Sequence, residues 1–342
     1  MNKRKIIIFK NDATGDLIHA REAIYNLIHS NKDKEIIIYL SNQSKQFSFL
    51  FSAKNLKFKF INKNLSLSEK IKIFSLFFDK SIDETYIFTP KVFFFYLPLF
   101  FRKIRFYGIC VDDINNYKRP NTFLRKFLFK KVVNDRKKKF KRPSIFDLQN
   151  DLIGEYHKSN YKLKFDYINN DKRLANISDY FHFHINQIKF SKLGWTFKDV
   201  DTILTELQKY KDKIVITRDI EKDNRKMEYH NRYNVFDFKN KNYIDNNSNI
   251  TLLENVEGID LYQIIRNAKK IIAFHGMITS FAWIEKKSVL DLFFCEIKNW
   301  NDYSRYRNSF YEFKPIYKDY DFIIPKKDVK KTLNKMTFFL NK

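Results

Sequence analysis

Apolar residues arrive along this chain as short unbroken runs alternating with stretches spaced as one face of a helix. Residues 6–9, Ile-Ile-Ile-Phe, form the first run. A polar stretch follows to Asp16, and then Leu17, Ile18, Ala20, Ile24, Leu27 and Ile28 recur at helical spacing. Residues 35–40 make a second β-branched run. Strand, helix and strand in this order form a βαβ unit, and strands without polar alternation suit a parallel sheet covered on both faces.

The pattern predicts further strands at 56–61, 84–88 and 106–109 and a helix at 68–78. Between 113 and 170 it fades into charge, Asn and Asp, where an insertion and a domain junction are expected. The second half repeats the alternation: strands at 180–185, 214–217, 250–253, 270–274 and 288–294, and helices at 197–210, 260–267, from 278 onward and at 326–340. Two such runs predict an α/β protein of two Rossmann-like parallel-sheet domains facing a cleft. The expected domains are residues 1–170 and 171–325, with the segment 326–342 packing back on the first.

Length agrees, since 342 residues exceed a comfortable single core, and 44% hydrophobic content lets each half bury its own. Charge adds a partner class. With 65 Lys+Arg against 39 Asp+Glu, the net charge of +26 favours phosphate- or carboxylate-bearing partners: nucleic acid, anionic lipid or a nucleotide-linked substrate. Abundant Lys, Asn, Ile, Phe and Tyr beside 6 Gly and 6 Pro is also what genome-wide compositional drift produces, so local clustering counts for more than the total. Two cysteines, Cys110 and Cys295, argue against a disulfide scaffold and a cysteine-ligated zinc. The basic-then-apolar start ends its apolar run after four residues, too short for a signal peptide, and no run reaches the roughly 18 apolar residues of a spanning helix. The expected setting is cytoplasmic, peripheral at most at the inner face of the cytoplasmic membrane.

The loop at 10–19 is the first candidate for chemistry, because ligands of open parallel sheets bind at the carboxyl ends of strands. Gly15 would allow a tight turn. Asp16 would stand at the helix N-terminus, where a carboxylate can take a proton from a hydroxyl; the alternative is a plain helix cap. Residues 6–20, with Gly15-Asp16 followed by two aliphatics and His19, resemble the opening of the lipopolysaccharide heptosyltransferase family. The resemblance implies a GT-B fold, with Asp16 as catalytic base and Asn11, Asp12, Thr14, Gly15 and His19 near the acceptor.

Further on, Lys192-Leu193-Gly194-Trp195 is similar to the family's Lys-x-Trp element, with one extra residue, and implies a donor-phosphate role for Lys192. The alternative is an ordinary surface lysine. Residues 214–221 resemble the next strand and acidic residue, making Glu221 a candidate for the donor's ribose or base. Finally, the strand at 271–274 and the loop His275-Gly276-Met277-Ile278-Thr279-Ser280 resemble the family's strand, Asp-[Ser/Thr]-Gly loop and helix. His275 stands in place of Asp, Ser280 in place of His, and Gly276 is displaced by one. Backbone amides, Thr279 and Ser280 could still cradle a phosphate at a helix N-terminus, and His275 could donate to the departing diphosphate.

Two more segments bear on partners. Residues 92–101 are strongly aromatic, and the acid-poor run that follows carries Arg125, Lys126, Lys130, Lys131, Arg136, Lys137, Lys138 and Lys139. Such surfaces suit anionic lipid headgroups or a phosphorylated glycan. No nucleic-acid recognition motif accompanies them, so no nucleic acid is expected. The resulting expectation is an inverting glycosyltransferase without cofactor or metal, moving a sugar (a heptose type among the options) from a nucleotide-sugar co-substrate to a lipopolysaccharide or other cell-surface glycan or glycolipid acceptor. The alternative is a non-catalytic scaffold that binds anionic membrane or nucleic acid.

Overall fold

In the computed structural model the first apolar run becomes β1 (Lys5–Lys10), and its lack of alternation is explained by position. It lies at the centre of a sheet with β2 (Glu35–Ser41), β3 (Leu56–Ile61), β4 (Ile82–Ile87), β5 (Arg105–Cys110) and β6 (Lys131–Asn134). The order is β3-β2-β1-β4-β5-β6, and every neighbouring pair is parallel. Ile6 to Phe9 are fully buried, as a strand covered on both faces requires. The structure describes residues 3–110, 127–134, 145–156, 179–218, 231–293 and 319–342. They fall into two compact units, one within Met1–Phe165 and one within Asp166–Glu296 and Pro315–Lys342.

Among the described residues, four α-helices accompany the first sheet: α1 (Thr14–Ser30), α2 (Leu67–Leu76), α3 (Val92–Phe100) and α4 (Ile145–Ile153). Its core is aromatic on one side, where Phe9 stacks on Phe94 with centroids 4.2 Å apart and meets Tyr39 at 5.0 Å. The aromatic run at 92–101 is therefore α3, with Phe94, Phe95, Leu97 and Pro98 turned into this core. Within the stretch where the pattern faded, β6 and α4 are regular elements.

The second unit contains β7 (Tyr180–Ile185), β8 (Lys213–Arg218), β9 (Asn234–Asp237), β10 (Asn242–Ile244), β11 (Ile250–Glu254), β12 (Lys270–Phe274), β13 (Ser288–Leu292) and β14 (Tyr320–Ile323). Its order, β10-β9-β11-β8-β7-β12-β13-β14, repeats the arrangement of the first sheet from β11 to β14 and adds the antiparallel β9–β10 pair at one edge. The helices are α5 (Gln187–Leu193), α6 (Phe197–Leu207), α7 (Gly258–Asn267), α8 (Met277–Ile284) and α9 (Val329–Asn341).

The C-terminal helix corrects the sequence expectation that 326–342 returns to the first domain. Val329, Met336, Phe339 and Leu340 line one face of α9 and enter the core of the second unit with Phe183, Phe190 and Leu290. Lys270 Nζ donates to the carbonyls of Phe339 and Leu340 at 3.2 and 2.8 Å, and Trp195 Nε1 donates to the Lys326 carbonyl at 2.9 Å.

Candidate functional site

In a sheet of this order the switch point falls where the connections reverse direction, between β1 and β4 in the first unit and between β7 and β12 in the second. The loops singled out from sequence leave the carboxyl ends of β1 and β12, so each lies at a switch point.

At the first, the chain leaves β1 through Asn11, Asp12 and Ala13. Ala13 is the helix N-cap, with φ −68° and ψ 153°, and α1 starts at Thr14. Asp16 is therefore not the cap. It lies in the first turn and makes a backbone hydrogen bond with Ala13. Gly15 is helical, and the turn expected of it is made by the preceding residues. Burial pushes the Asp16 carboxyl above its ordinary value, and the nearby Asp12 charge adds to the rise. Lys10 and Lys63 pull the other way.

The surroundings of Asp16 are densely charged. Buried Lys10 binds Asp12 Oδ2 at 2.7 Å. Lys91, at the start of α3, donates to the Asn11 carbonyl at 3.2 Å and to the Lys63 carbonyl. Burial lowers the Lys91 ammonium to about 8. Asn11 Nδ2 donates to the Asn62 carbonyl at 3.0 Å. Asn11 Oδ1, Asp12 Oδ1 and Thr89 Oγ1 are buried with no hydrogen bond among the described residues. Of the other residues expected here, Thr14 Oγ1 lies 3.3 Å from Ser44 Oγ, and His19 is buried on the next turn of α1.

At the second switch point, Gly276 adopts φ 154° and ψ −142°, a region open essentially to glycine alone. This bend starts α8. Thr279 and Ser280, expected to touch phosphate, hold the bend. Thr279 Oγ1 accepts from the Gly276 N–H and donates to its carbonyl, both at 3.0 Å, and Ser280 Oγ donates to the same carbonyl at 2.7 Å. The anion-binding capacity therefore rests on the first backbone N–H groups of α8, which no helical turn can satisfy.

The cation at this turn is Lys189, which the sequence reading missed. Asn186 caps α5 by accepting from the Lys189 backbone N–H at 2.9 Å, and Lys189 Nζ donates to the His275 carbonyl. Nζ also sits 5.8 Å from the Phe274 ring centroid. Lys192 is exposed in the last turn of α5. The usable signal was position: Lys189 lies in the first turn of the helix that follows the carboxyl end of β7.

Asp291 was missed as well. It is a fully buried acid in an apolar strand, an anomaly visible in the sequence Ser288 to Leu292. Its Oδ2 lies 2.7 Å from His275 Nδ1 and accepts from Tyr320 OH at 2.5 Å. The carboxylate fixes the His275 ring, which also packs on Phe293 with centroids 4.5 Å apart.

A separate cavity of about 390 Å³ lies beside α5 and α6, lined by Phe190, Trp195, Val200, Leu204 and Tyr233. Gln187, Ser191, Thr196 and Arg218 add polar groups to its wall, and Arg218 is paired with Glu254. Glu221, Arg125, Lys126, Arg136, Lys137, Lys138 and Lys139 lie outside the described residues. Lys130 is exposed, whereas Lys131 donates to the Asp151 carbonyl and is tied into the fold.

Two parallel sheets of matching order, each with a polar loop at its switch point, define a two-domain Rossmann-like GT-B fold. The chain is similar to E. coli heptosyltransferase WaaC solved with ADP-2-deoxy-2-fluoro heptose, at TM-score 0.58 and 11% identity over 98% of this chain and 99% of that one. It is also similar to a family 9 glycosyl transferase from Veillonella parvula, at TM-score 0.59 and 10% identity over 99% and 98%. UDP-GlcNAc 2-epimerase from Methanocaldococcus jannaschii matches at TM-score 0.58 and 15% identity over 99% and 93%. No protein-family profile and no curated protein matches the chain. The heptosyltransferase resemblance of the opening loop thus extends to the fold of nearly the whole chain.

Proposed function

We propose that the chain is a glycosyltransferase that moves a sugar from a nucleoside-diphosphate sugar to a hydroxyl of a glycan acceptor. The carrying observation is the environment of Asp16, a half-buried carboxylate of raised proton affinity in the first helical turn after a switch-point loop. A base of this kind suits a hydroxyl nucleophile at neutral pH better than an ordinary exposed aspartate does.

Asp16 takes the acceptor proton, and the acceptor oxygen bonds to the anomeric carbon. The bond from that carbon to the diphosphate breaks, and the electron pair leaves with the diphosphate. Direct displacement of this kind inverts the anomeric centre. Lys189 and the first N–H groups of α8 stabilise the departing charge, with no metal required for that task. Asn11 Oδ1 and Asp12 Oδ1 are acceptors that sugar hydroxyls would satisfy. The heptose donor type is supported by the fold shared with the WaaC complex, and a lipopolysaccharide-type acceptor by the fold shared with E. coli ADP-heptose lps heptosyltransferase II.

A second reading, epimerisation of the nucleotide sugar without an acceptor, is favoured by the equal structural likeness to UDP-GlcNAc 2-epimerase. The test is a thermal-shift screen of ADP, UDP, GDP and CMP, followed by turnover of the matching nucleotide-sugar with and without a glycan acceptor. Acceptor-dependent release of the nucleoside diphosphate is expected. Acceptor-independent isomerisation would replace transfer with epimerisation, and donor binding with no turnover would leave a non-catalytic scaffold.

A further inference from the structure

The first unit carries an apolar shelf on its outer surface. On α2, Leu67, Ile71 and Phe74 fall on one stripe that Phe78 continues just past the helix end. Ile73 and Phe77 supply the buried face and half-buried Phe74 packs against them, so Leu67, Ile71 and Phe78 are the part of the stripe left outside the core. Leu67 is 74% exposed, Ile71 57% and Phe78 70%. On α3, Tyr96, Leu99 and Phe100 are exposed, with Phe100 at 65%. The two helices join through Phe74, whose ring centroid lies 5.8 Å from Phe78, 5.3 Å from Phe100 and 4.9 Å from Phe101. Large clustered apolar exposure on a soluble surface marks an interaction site.

The surrounding charge selects the occupant. Lys70, Lys72, Lys80, Arg102 and Lys103 accompany the shelf, and residues 63–81 and 91–104 contain no acids but Glu69 and Asp79. Both acids are engaged: Glu69 accepts from the backbone N–H of Ser66 and Asn62 at 2.8 Å each, and Asp79 binds Lys5 Nζ at 2.6 Å. A second copy seated here would bring two basic rims together. An anionic bilayer would take the aromatic side chains at the headgroup–acyl boundary and neutralise the rim.

We propose that the α2–α3 face docks this protein on an anionic lipid bilayer. The shelf begins beside the first switch-point loop, because α3 starts next to Lys91, which binds the Asn11 and Lys63 carbonyls, and α2 is capped just after Asn62 and Lys63. Docking through α2 and α3 would bring the bilayer to within about a helix length of that loop. If the glycosyltransferase reading holds, this specifies a lipid-anchored acceptor; the docking itself does not depend on that reading.

The full chain is to be sedimented with vesicles of phosphatidylethanolamine and phosphatidylglycerol, and with phosphatidylcholine alone. Binding to the anionic vesicles is expected, weakened by salt and weakened roughly ten-fold or more by the double substitution F78S/F100S. These side chains are exposed, so an unchanged melting temperature and an unchanged nucleotide thermal shift certify the variant and keep this result separate from failure of the transferase reading. Absence of binding at low salt would overturn the proposal, as would binding that F78S/F100S leaves intact. So would sedimentation-velocity data showing that F78S/F100S abolishes a dimer while the wild type ignores vesicles.

Discussion

Asp16 shows how a single carboxylate can be costly to the fold and useful to the chemistry. Its folded-state proton affinity is raised, first by burial. The folded state therefore binds the proton more tightly than the unfolded chain does. Stability is lost as pH climbs from the unfolded value, near 4, through the folded one, and stays lower above it. Asp16→Asn should melt above wild type at about pH 7.5 and together with it near pH 3.5, where both side chains are neutral. Turnover should fall by about 10²–10⁴-fold. A variant that is inactive but no more stable would mean that the charge is not buried as described. Lys189 and Lys192 provide a paired test on one helix. Lys189→Ala should raise the donor KM by about ten-fold or more, as expected for a lost charge-assisted hydrogen bond, and Lys192→Ala should leave it near wild type. Donor-titration kinetics on both variants decides which lysine serves the diphosphate.

Among the elements, the bend before α8 is the most exacting. An added methyl at Gly276 would find its nearest neighbour, Lys189 Nζ, at 3.8 Å, so space is not what demands glycine. The backbone angles are, and Gly276→Ala should cost about 1–3 kcal/mol of stability by strain alone. Because the bend aims the α8 N–H groups, donor affinity measured by calorimetry should fall with it. Thr279→Val, which removes the hydroxyl clasped to Gly276, should reproduce the affinity loss more mildly. This bend also marks how far the sequence could be read. The strand, the glycine and the helix start at 270–284 were visible as a hydrophobic run, a lone Gly and renewed periodicity. The use of Thr279 and Ser280 was not, because a hydroxyl at a helix start can face a ligand or its own turn with equal local chemistry. Lys189 and Lys192 differ by three positions on one short helix, and it is Lys189, held at the Asn186 cap, that meets the His275 carbonyl. The β9–β10 pair and β6 escaped notice because strands of three or four residues leave too short a pattern.

For the molecule as a whole, two separate cores make two separable stabilities. The first is built around Phe9, Phe77, Phe94 and Phe106, and the second around Phe183, Phe190, Leu290 and Met336. A chain with two such cores need not unfold in one step. The amphipathic stripe of α9 was legible in the sequence, but its destination was not, since an apolar face fits any apolar groove until the surrounding sheet is built. Because Met336 is fully buried in the second core, Met336→Ala should cost about 2–5 kcal/mol there. That loss should appear in calorimetry as a downward shift of one transition, with the other in place. The same transition should be the one that a nucleoside diphosphate moves upward, because the Gly276 bend and Lys189 belong to the second unit and ligand binding stabilises what binds it. A chain ending at Lys326 keeps the carbonyl that Trp195 binds but loses all of α9, and it should lose the nucleotide-sensitive transition outright. If nucleotide and Met336→Ala act instead on different transitions, the helix closes a unit other than the one that holds the donor.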